Sequence, residues 1–155
     1  MLKQAYISNN TTYFSFYKDV YLSSIDRSGL NYLNGEHTSI GNGRKSLQTI
    51  RECNIYTALY GGMHYYKLSD AFSRIQFDDI QFDSIEINDY GCGQAFASIV
   101  LIETLLNKNY NIKNINVGLF DTSDVAINNG VLYLNKIKEK YDFINNISIE
   151  KYNVD

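Results

Sequence analysis

The sequence predicts an α/β fold with a parallel sheet, preceded by a helical N-terminal region. Three observations support this: a strand–turn–helix unit at residues 85–106, a second strand and helix after it, and an alternating segment at 147–152. The order strand, helix, strand, helix, strand is typical of one half of a doubly wound parallel sheet. We expect the helical region at residues 1–83 and the sheet domain at residues 84–155.

The first strand and the turn after it are the most informative part of the chain. Ile85 and Ile87 alternate with polar residues, as in a strand, and Gly91 and Gly93 then break the pattern. A strand that turns tightly into a helix leaves backbone N–H groups facing the turn, and glycines let a ligand approach them. The stretch therefore predicts a small-molecule pocket that favours a phosphate or a carboxylate, at the carboxyl end of a strand.

This turn resembles a motif of a known family. Asp89-Tyr90-Gly91-Cys92-Gly93-Gln94-Ala95 is similar to the first motif of class I S-adenosylmethionine-dependent methyltransferases, Asp-x-Gly-x-Gly-x-Gly, with Ala95 in place of the last glycine. The resemblance implies that this loop, with Cys92 and Gln94, wraps the amino-acid end of the cofactor. It also implies that Gly91 and Gly93 admit the methionine portion and that Asp89 orients the loop or meets the ammonium group.

The family's second landmark is an acidic residue at the end of the second strand, where it binds the ribose hydroxyls. Residues 114–121 form a predicted strand that ends in Asp121, 30 positions after Gly91. The resemblance implies cofactor contacts at Asp121 and Thr122, and adenine contacts at residues 153–155. Simpler structural roles stay open, because Asp89 and Asp121 are also suited to capping helices and the glycines to making a tight turn.

Helical spacing predicts three helices before the sheet, at residues 11–25, 46–59 and 63–75, with Gly61-Gly62 interrupting the last two. The glycine-rich segment at 28–45 is predicted to be a long loop. His64 and Tyr65 follow the glycine pair in a segment that resembles the helix covering the cofactor in some methyltransferases. The alternative is a helix–helix corner with His64 on the surface.

The resemblance implies a Rossmann-like fold with S-adenosylmethionine, or its demethylated product, as the bound partner. The family's domain has about twice as many strands, so we expect the N-terminal part of a longer methyltransferase or a chain that has lost its second half. A truncated sheet of this kind is expected to self-associate through an exposed apolar edge and face. The resemblance to methyltransferases with this Gly-Cys-Gly-Gln loop implies an RNA acceptor, whereas no acceptor-side motif or catalytic residue is identified.

Two other functions stay open. A nicotinamide dinucleotide-binding domain would need a third glycine where the bulky Phe96 stands, which argues against it. A non-enzymatic binding or interaction module on the same half-fold is the second alternative. Cys92 as a nucleophile lacks a nearby His/Asp pattern.

Composition excludes several classes. The 155 residues are 45% hydrophobic with a net charge of −3, which predicts a packed core and argues against a strong non-specific nucleic-acid surface. No apolar run approaches membrane-spanning length, and the N-terminus does not resemble a signal peptide. Cys53 and Cys92 are isolated, so neither a disulfide framework nor a metal site is predicted, and a cytoplasmic location is expected.

Overall fold

The chain folds as a mixed α/β protein around a parallel sheet. A computed structural model describes residues 13–29, 35–76 and 83–154. The strands are β1 (Ser84–Tyr90), β2 (Asn114–Asp121) and β3 (Asn146–Asn153), and they lie in the order β1-β2-β3, with both pairs parallel. This confirms the predicted α/β class and the strand–helix–strand–helix–strand order.

The helical elements combine α-helix with short π-helical and 3₁₀ segments. Helix α1 is a π-helical segment, Phe16–Leu22, that continues as the α-helix Ser23–Ser28. Helix α2 is Glu36–Ser39, followed by the 3₁₀ turn Gly41–Gly43. Helix α3 joins Ile50–Tyr56, the π-helical Thr57–Gly61 and Gly62–Ser73, whereas α4 is Phe96–Asn107 and α5 is Asp124–Lys140.

Helix α3 corrects the prediction that Gly61-Gly62 interrupts two helices. Gly61 has φ −58° and ψ −41°, and Gly62 has φ −61° and ψ −43°, so both residues are helical. Glycine weakens a helix by only about 1 kcal/mol, and packing outweighs that cost here. The start of α3 is set by Thr49 and Glu52, which form a reciprocal capping box.

Other predicted boundaries shift more modestly. The predicted loop at 28–45 contains α2 and the 3₁₀ turn. The first helix begins at Phe16, and residues 11 and 12 of its predicted range lie outside the described residues, as do residues 77–82 before the first strand. Ser123 is the residue that caps α5, because its hydroxyl accepts from the N–H of Ala126.

The helices of the described residues cover one face of the sheet. Ile115, Val117 and Leu119 of β2 are buried, whereas Asn116 between them is exposed. Both β–α–β connections step in the same direction across the sheet, and right-handed crossovers then place α4 and α5 on the same face. The opposite face carries polar residues and a row of stacked rings, Tyr90, Phe120 and Tyr152.

That polar face differs from the apolar face expected of a truncated doubly wound sheet. Parallel sheets covered on both faces are apolar on both, yet Glu86, Asn88 and Asn116 all lie exposed on the open side. On the described part of this face, the apolar surface is the row of rings at Tyr90, Phe120 and Tyr152, beside those polar residues. Self-association through a sheet edge stays a prediction.

The N-terminal helices form a third layer over α4 and α5. Phe16 is fully buried and meets the ring of Phe96 edge-on, with 5.1 Å between the ring centres. Phe14, Phe16 and Val20 belong to the same hydrophobic cluster as the sheet residues Val117 and Leu119. The predicted division at residue 83 stays a prediction, since the segments on its two sides share this cluster.

Candidate functional site at the glycine turn

The turn between β1 and α4 has left-handed backbone conformations at alternate positions. The φ angles are +66° at Gly91, +59° at Ala95 and +50° at Gly93. A Cβ at either glycine would meet no atom within 4 Å, so the turn is open on its outer side. Ala95 lacks the conformational freedom of a glycine, so this left-handed conformation costs about 1–2 kcal/mol.

Asp121 at the end of β2 holds this turn in place. One carboxylate oxygen accepts from the N–H of Gly93 at 2.8 Å, and the other accepts from the N–H of Ser123 at 2.9 Å. The carbonyl of Phe120 also accepts from the N–H groups of Gly91 and Cys92, at 2.8 and 3.1 Å. The structure thus brings Asp121 and the glycine turn together, as the sequence predicts.

Asp89 connects β1 to the first turn of α4. Its Oδ2 accepts from the backbone N–H and the hydroxyl of the buried Ser98, at 3.2 and 2.7 Å. Its Oδ1 takes part in no hydrogen bond with the described residues. Burial raises the pKa of Asp89, and the nearby charge of Asp121 raises it further. The hydrogen bonds from Ser98 lower this pKa, but the net shift is upward. Asp89 can therefore serve both roles suggested for it, because Oδ2 caps the start of α4 and Oδ1 is left for a ligand contact.

A cavity of about 320 Å³ opens beside the turn. It lies at the carboxyl ends of β1 and β2, where ligands bind in open α/β sheets. Its lining combines two carboxylates, one lysine, the turn, and apolar and aromatic side chains: Gly43, Lys45, Ser46, Leu47, Tyr56, His64, Leu68, Asp89, Gly91, Cys92, Gly93, Gln94, Phe96, Ala97, Asp121, Ser123 and Ala126.

One wall of the cavity is aromatic. Tyr56 stacks on His64 with 5.9 Å between ring centres, and both rings approach Phe96, at 6.4 and 6.2 Å. The hydroxyl of Tyr56 lies 3.0 Å from Nε2 of His64. Burial and the charge of Lys67 lower the pKa of His64, which favours the neutral imidazole. His64 is half-buried and lines the cavity, so it does not lie on an exposed corner.

Several residues predicted to bind the cofactor have other contacts. Gln94 lines the cavity, but its buried side-chain amide accepts from Asn129 at 2.6 Å and donates to the carbonyl of Cys53 at 3.1 Å, so this amide links α3 and α5. Tyr65 stacks on Phe16 and does not line this cavity. The hydroxyl of Thr122 lies 3.5 Å from that of Ser46, outside the lining.

Cys92 lines the cavity as a thiol rather than a thiolate. Burial raises its pKa to about 12, and the charges of Asp89 and Asp121 act in the same direction. A thiol of this kind is a poor nucleophile at neutral pH. Of the residues predicted to contact adenine, Asn153 ends β3, whereas residue 155 lies outside the described residues.

Two parts of the site have no counterpart in the sequence predictions. The segment 43–47 lines the cavity, and the carbonyl of Leu47 accepts from the hydroxyl of Ser123, which attaches the segment to the end of β2. Gly130 on α5 packs against the turn, because a Cβ there would lie 2.8 Å from the Cβ of Ala95. Two features of the sequence point to these parts of the site. One is the length of the glycine-rich segment at 28–45, and the other is Gly130, a lone glycine inside a helical pattern.

No family model, curated protein or solved structure matches this chain. Among the described residues, no group of three or more His, Cys, Asp or Glu side chains could hold a metal ion. None of the helices in the described ranges is long and apolar enough to cross a membrane.

Proposed function

We propose that the cavity beside the glycine turn binds S-adenosylmethionine, as in the N-terminal half of a Rossmann-like class I methyltransferase. The observation that carries this proposal is the 2.8 Å hydrogen bond from the N–H of Gly93 to the carboxylate of Asp121. This hydrogen bond joins the two features on which the resemblance depends, the glycine turn after β1 and the acidic residue at the end of β2, and both line the same cavity.

The space and the polar groups are compatible with this ligand. Ligand pockets commonly have volumes of about 300–1,000 Å³, and this cavity measures about 320 Å³. The outer sides of Gly91 and Gly93 are open, so a ligand can approach the backbone there. Phe96 and Ala97 in the first turn of α4 line the cavity at a helix end that favours a carboxylate.

Each charged portion of the cofactor has a complementary group in the lining. Oδ1 of Asp89 can accept from the ammonium group, whereas the start of α4 attracts the carboxylate. Lys45 also lines the cavity, but its ammonium is paired with Glu52 at 2.8 Å. Each oxygen of Asp121 accepts one backbone hydrogen bond and retains a second lone pair for a ribose hydroxyl. The rings of Tyr56 and Phe96 offer faces to the sulfonium or the adenine.

The chain's part in methyl transfer would be binding and orientation. Bound S-adenosylmethionine supplies an electrophilic methyl group, and displacement at that group depends mainly on alignment of the reactants and exclusion of water. Asp89, Asp121 and the glycine turn would fix the cofactor against the aromatic wall. The neutral His64 and the protonated Cys92 hold no charge that would oppose a sulfonium.

Calorimetric titration tests the proposal. We expect S-adenosylmethionine and its demethylated product to bind, and NAD to bind more weakly or not at all. Asp89→Asn keeps an oxygen for Ser98 and loses the charge, so it should weaken binding by about 1.5–3 kcal/mol. Asp142→Asn, at an exposed turn residue, is the matched control and should bind as the wild type does.

Tight NAD binding without binding of the demethylated product would overturn the cofactor assignment. Binding that Asp89→Asn leaves unchanged would place the cofactor elsewhere on the chain. Circular dichroism of each variant distinguishes loss of binding from loss of fold.

A non-enzymatic interaction module is the second candidate, and the open face of the sheet favours it. Glu86, Asn88 and Asn116 are exposed on that face, which is unlike the doubly covered sheet of the family. A folded protein that binds neither S-adenosylmethionine nor its product, and that scatters light as a dimer, would support this alternative.

A further inference from the structure

A second cavity, of about 490 Å³, lies between α1 and α3 and shares no lining residue with the first. Its lining consists of five aromatic rings and one glycine: Phe16, Tyr17, Tyr21, Gly62, Tyr65 and Tyr66. Tyr17 is 51% exposed and Tyr66 is 78% exposed, whereas Phe16 is fully buried. The cavity therefore has an aromatic interior and a rim that solvent reaches.

The helices that hold these rings have unusual local geometry. Phe16, Tyr17 and Tyr21 lie on a π-helical segment, a conformation that is rare and is frequently found at functional sites. The ring of Tyr21 lies over the Gly61-Gly62 pair, and a Cβ at Gly62 would be 3.5 Å from it. Because Gly61 and Gly62 have no side chains, the ring of Tyr21 can pack directly against the backbone of this pair.

The rings are arranged in pairs that meet at different angles. Phe16 and Tyr65 stack at 5.2 Å with 10° between their planes, and Tyr17 and Tyr21 lie 5.7 Å apart at 32°. Tyr65 and Tyr66 are at 65° to each other. The planes of the lining rings are therefore not all parallel to one another.

A buried carboxylate lies directly behind this aromatic lining. Oε1 of Glu103 on α4 accepts from the backbone N–H of Phe16 at 3.2 Å. Its Oε2 is buried and has no hydrogen-bond partner among the described residues, although the side chain is only 6% exposed. A buried acceptor without a partner is costly, and a positive charge nearby would stabilise it.

We propose that this cavity binds a small organic cation that carries a quaternary, fully methylated ammonium group. The quaternary nitrogen has no N–H to donate, so such a group is held by the negative potential of ring faces. Five aromatic rings line the cavity, and the carboxylate of Glu103, which accepts from the N–H of Phe16, supplies a counter-charge when it is ionised. The inference does not depend on the proposal for the glycine turn, since the two cavities have no residue in common.

The test uses the full chain with ring-labelled tyrosines, followed by NMR. The probes are tetramethylammonium, choline and 3,3-dimethyl-1-butanol, a neutral analogue with carbon in place of the choline nitrogen. We expect the two cations to shift the ring resonances in a saturable way and the neutral analogue to bind several-fold more weakly. Tyr66→Leu removes an exposed ring and should weaken choline binding roughly two- to fivefold.

Two further variants make the test specific. The titration is run at about pH 8.5, above the pKa of about 7 that burial gives Glu103, so that the wild type carries the charge. Glu103→Gln keeps an oxygen for the N–H of Phe16 and removes that charge, so choline binding at this pH should weaken while binding of the neutral analogue stays unchanged. Tyr13→Leu, at a 64%-exposed tyrosine outside the lining, is the matched control and should bind choline as the wild type does. The proposal is overturned if the neutral analogue binds as tightly as choline, or if the folded wild type gives no saturable response to either cation.

Discussion

Gly130→Ala tests the packing of α5 against the glycine turn. In an open helix interior this change would stabilise the protein by about 1 kcal/mol, because alanine favours helix more than glycine does. At Gly130 the new Cβ would lie 2.8 Å from the Cβ of Ala95, 2.8 Å from the carbonyl carbon of Gln94 and 2.9 Å from its oxygen. Two of these atoms are backbone, so relief requires α5 or the turn to move.

Overpacking of this kind costs about 1–3 kcal/mol. After the gain in helix propensity is subtracted, we expect a net loss of up to about 2 kcal/mol in the free energy of unfolding, measured by urea denaturation with an unchanged m-value. Gly62→Ala is the matched control: its nearest contact would be 3.5 Å, and it should gain about 0.5–1 kcal/mol. A Gly130→Ala protein as stable as the control variant would refute the close approach of α5 to the turn.

Backbone strain and burial determine three further outcomes. Gly91→Ala should lower the free energy of unfolding by about 1–2 kcal/mol, because φ is +66° there although space is open; no loss would mean that the turn is not left-handed at this position. Burial raises the pKa of Glu103 from 4.5 to about 7, so the folded state binds its proton more tightly than the unfolded state. The stability from that proton is present below about pH 4.5 and is lost as pH rises through 7, by roughly 3 kcal/mol, and denaturation curves of Glu103→Gln should lack this decline. Cys53 and Cys92, whose pKa values burial raises to about 12, should label slowly at pH 7.5 when folded and rapidly in urea; fast labelling of folded Cys92 would contradict its buried state.

The sheet is predictable from the sequence because local patterns determine it. Alternating isoleucines mark β1, and the glycine turn sets where α4 begins. The proximity of Gly93 to Asp121 follows from the order of the strands alone, because the carboxyl ends of neighbouring parallel strands lie at the same edge of a sheet. These features depend on short stretches of chain, and such stretches carry strong periodic signals.

The remaining features depend on contacts between distant segments. The sequence around Gln94 does not show that its side-chain amide would form hydrogen bonds with Asn129 and Cys53, which are 35 and 41 positions away. The glycines at 61 and 62 predict a break, yet tertiary packing keeps the pair helical. The open polar face is visible in the alternation of β1, where Glu86 and Asn88 face away from the helices, whereas the resemblance predicts a doubly covered sheet.

The most direct test of the central claim is backbone NMR mapping of the demethylated cofactor product on the wild-type chain. We expect saturable shifts concentrated at the amides of Gly91, Gly93 and Phe96 and at Ser123, which shares the carboxylate of Asp121. Shifts confined to residues away from this turn, or none at all in a folded sample at millimolar ligand, would contradict the assignment of the cavity.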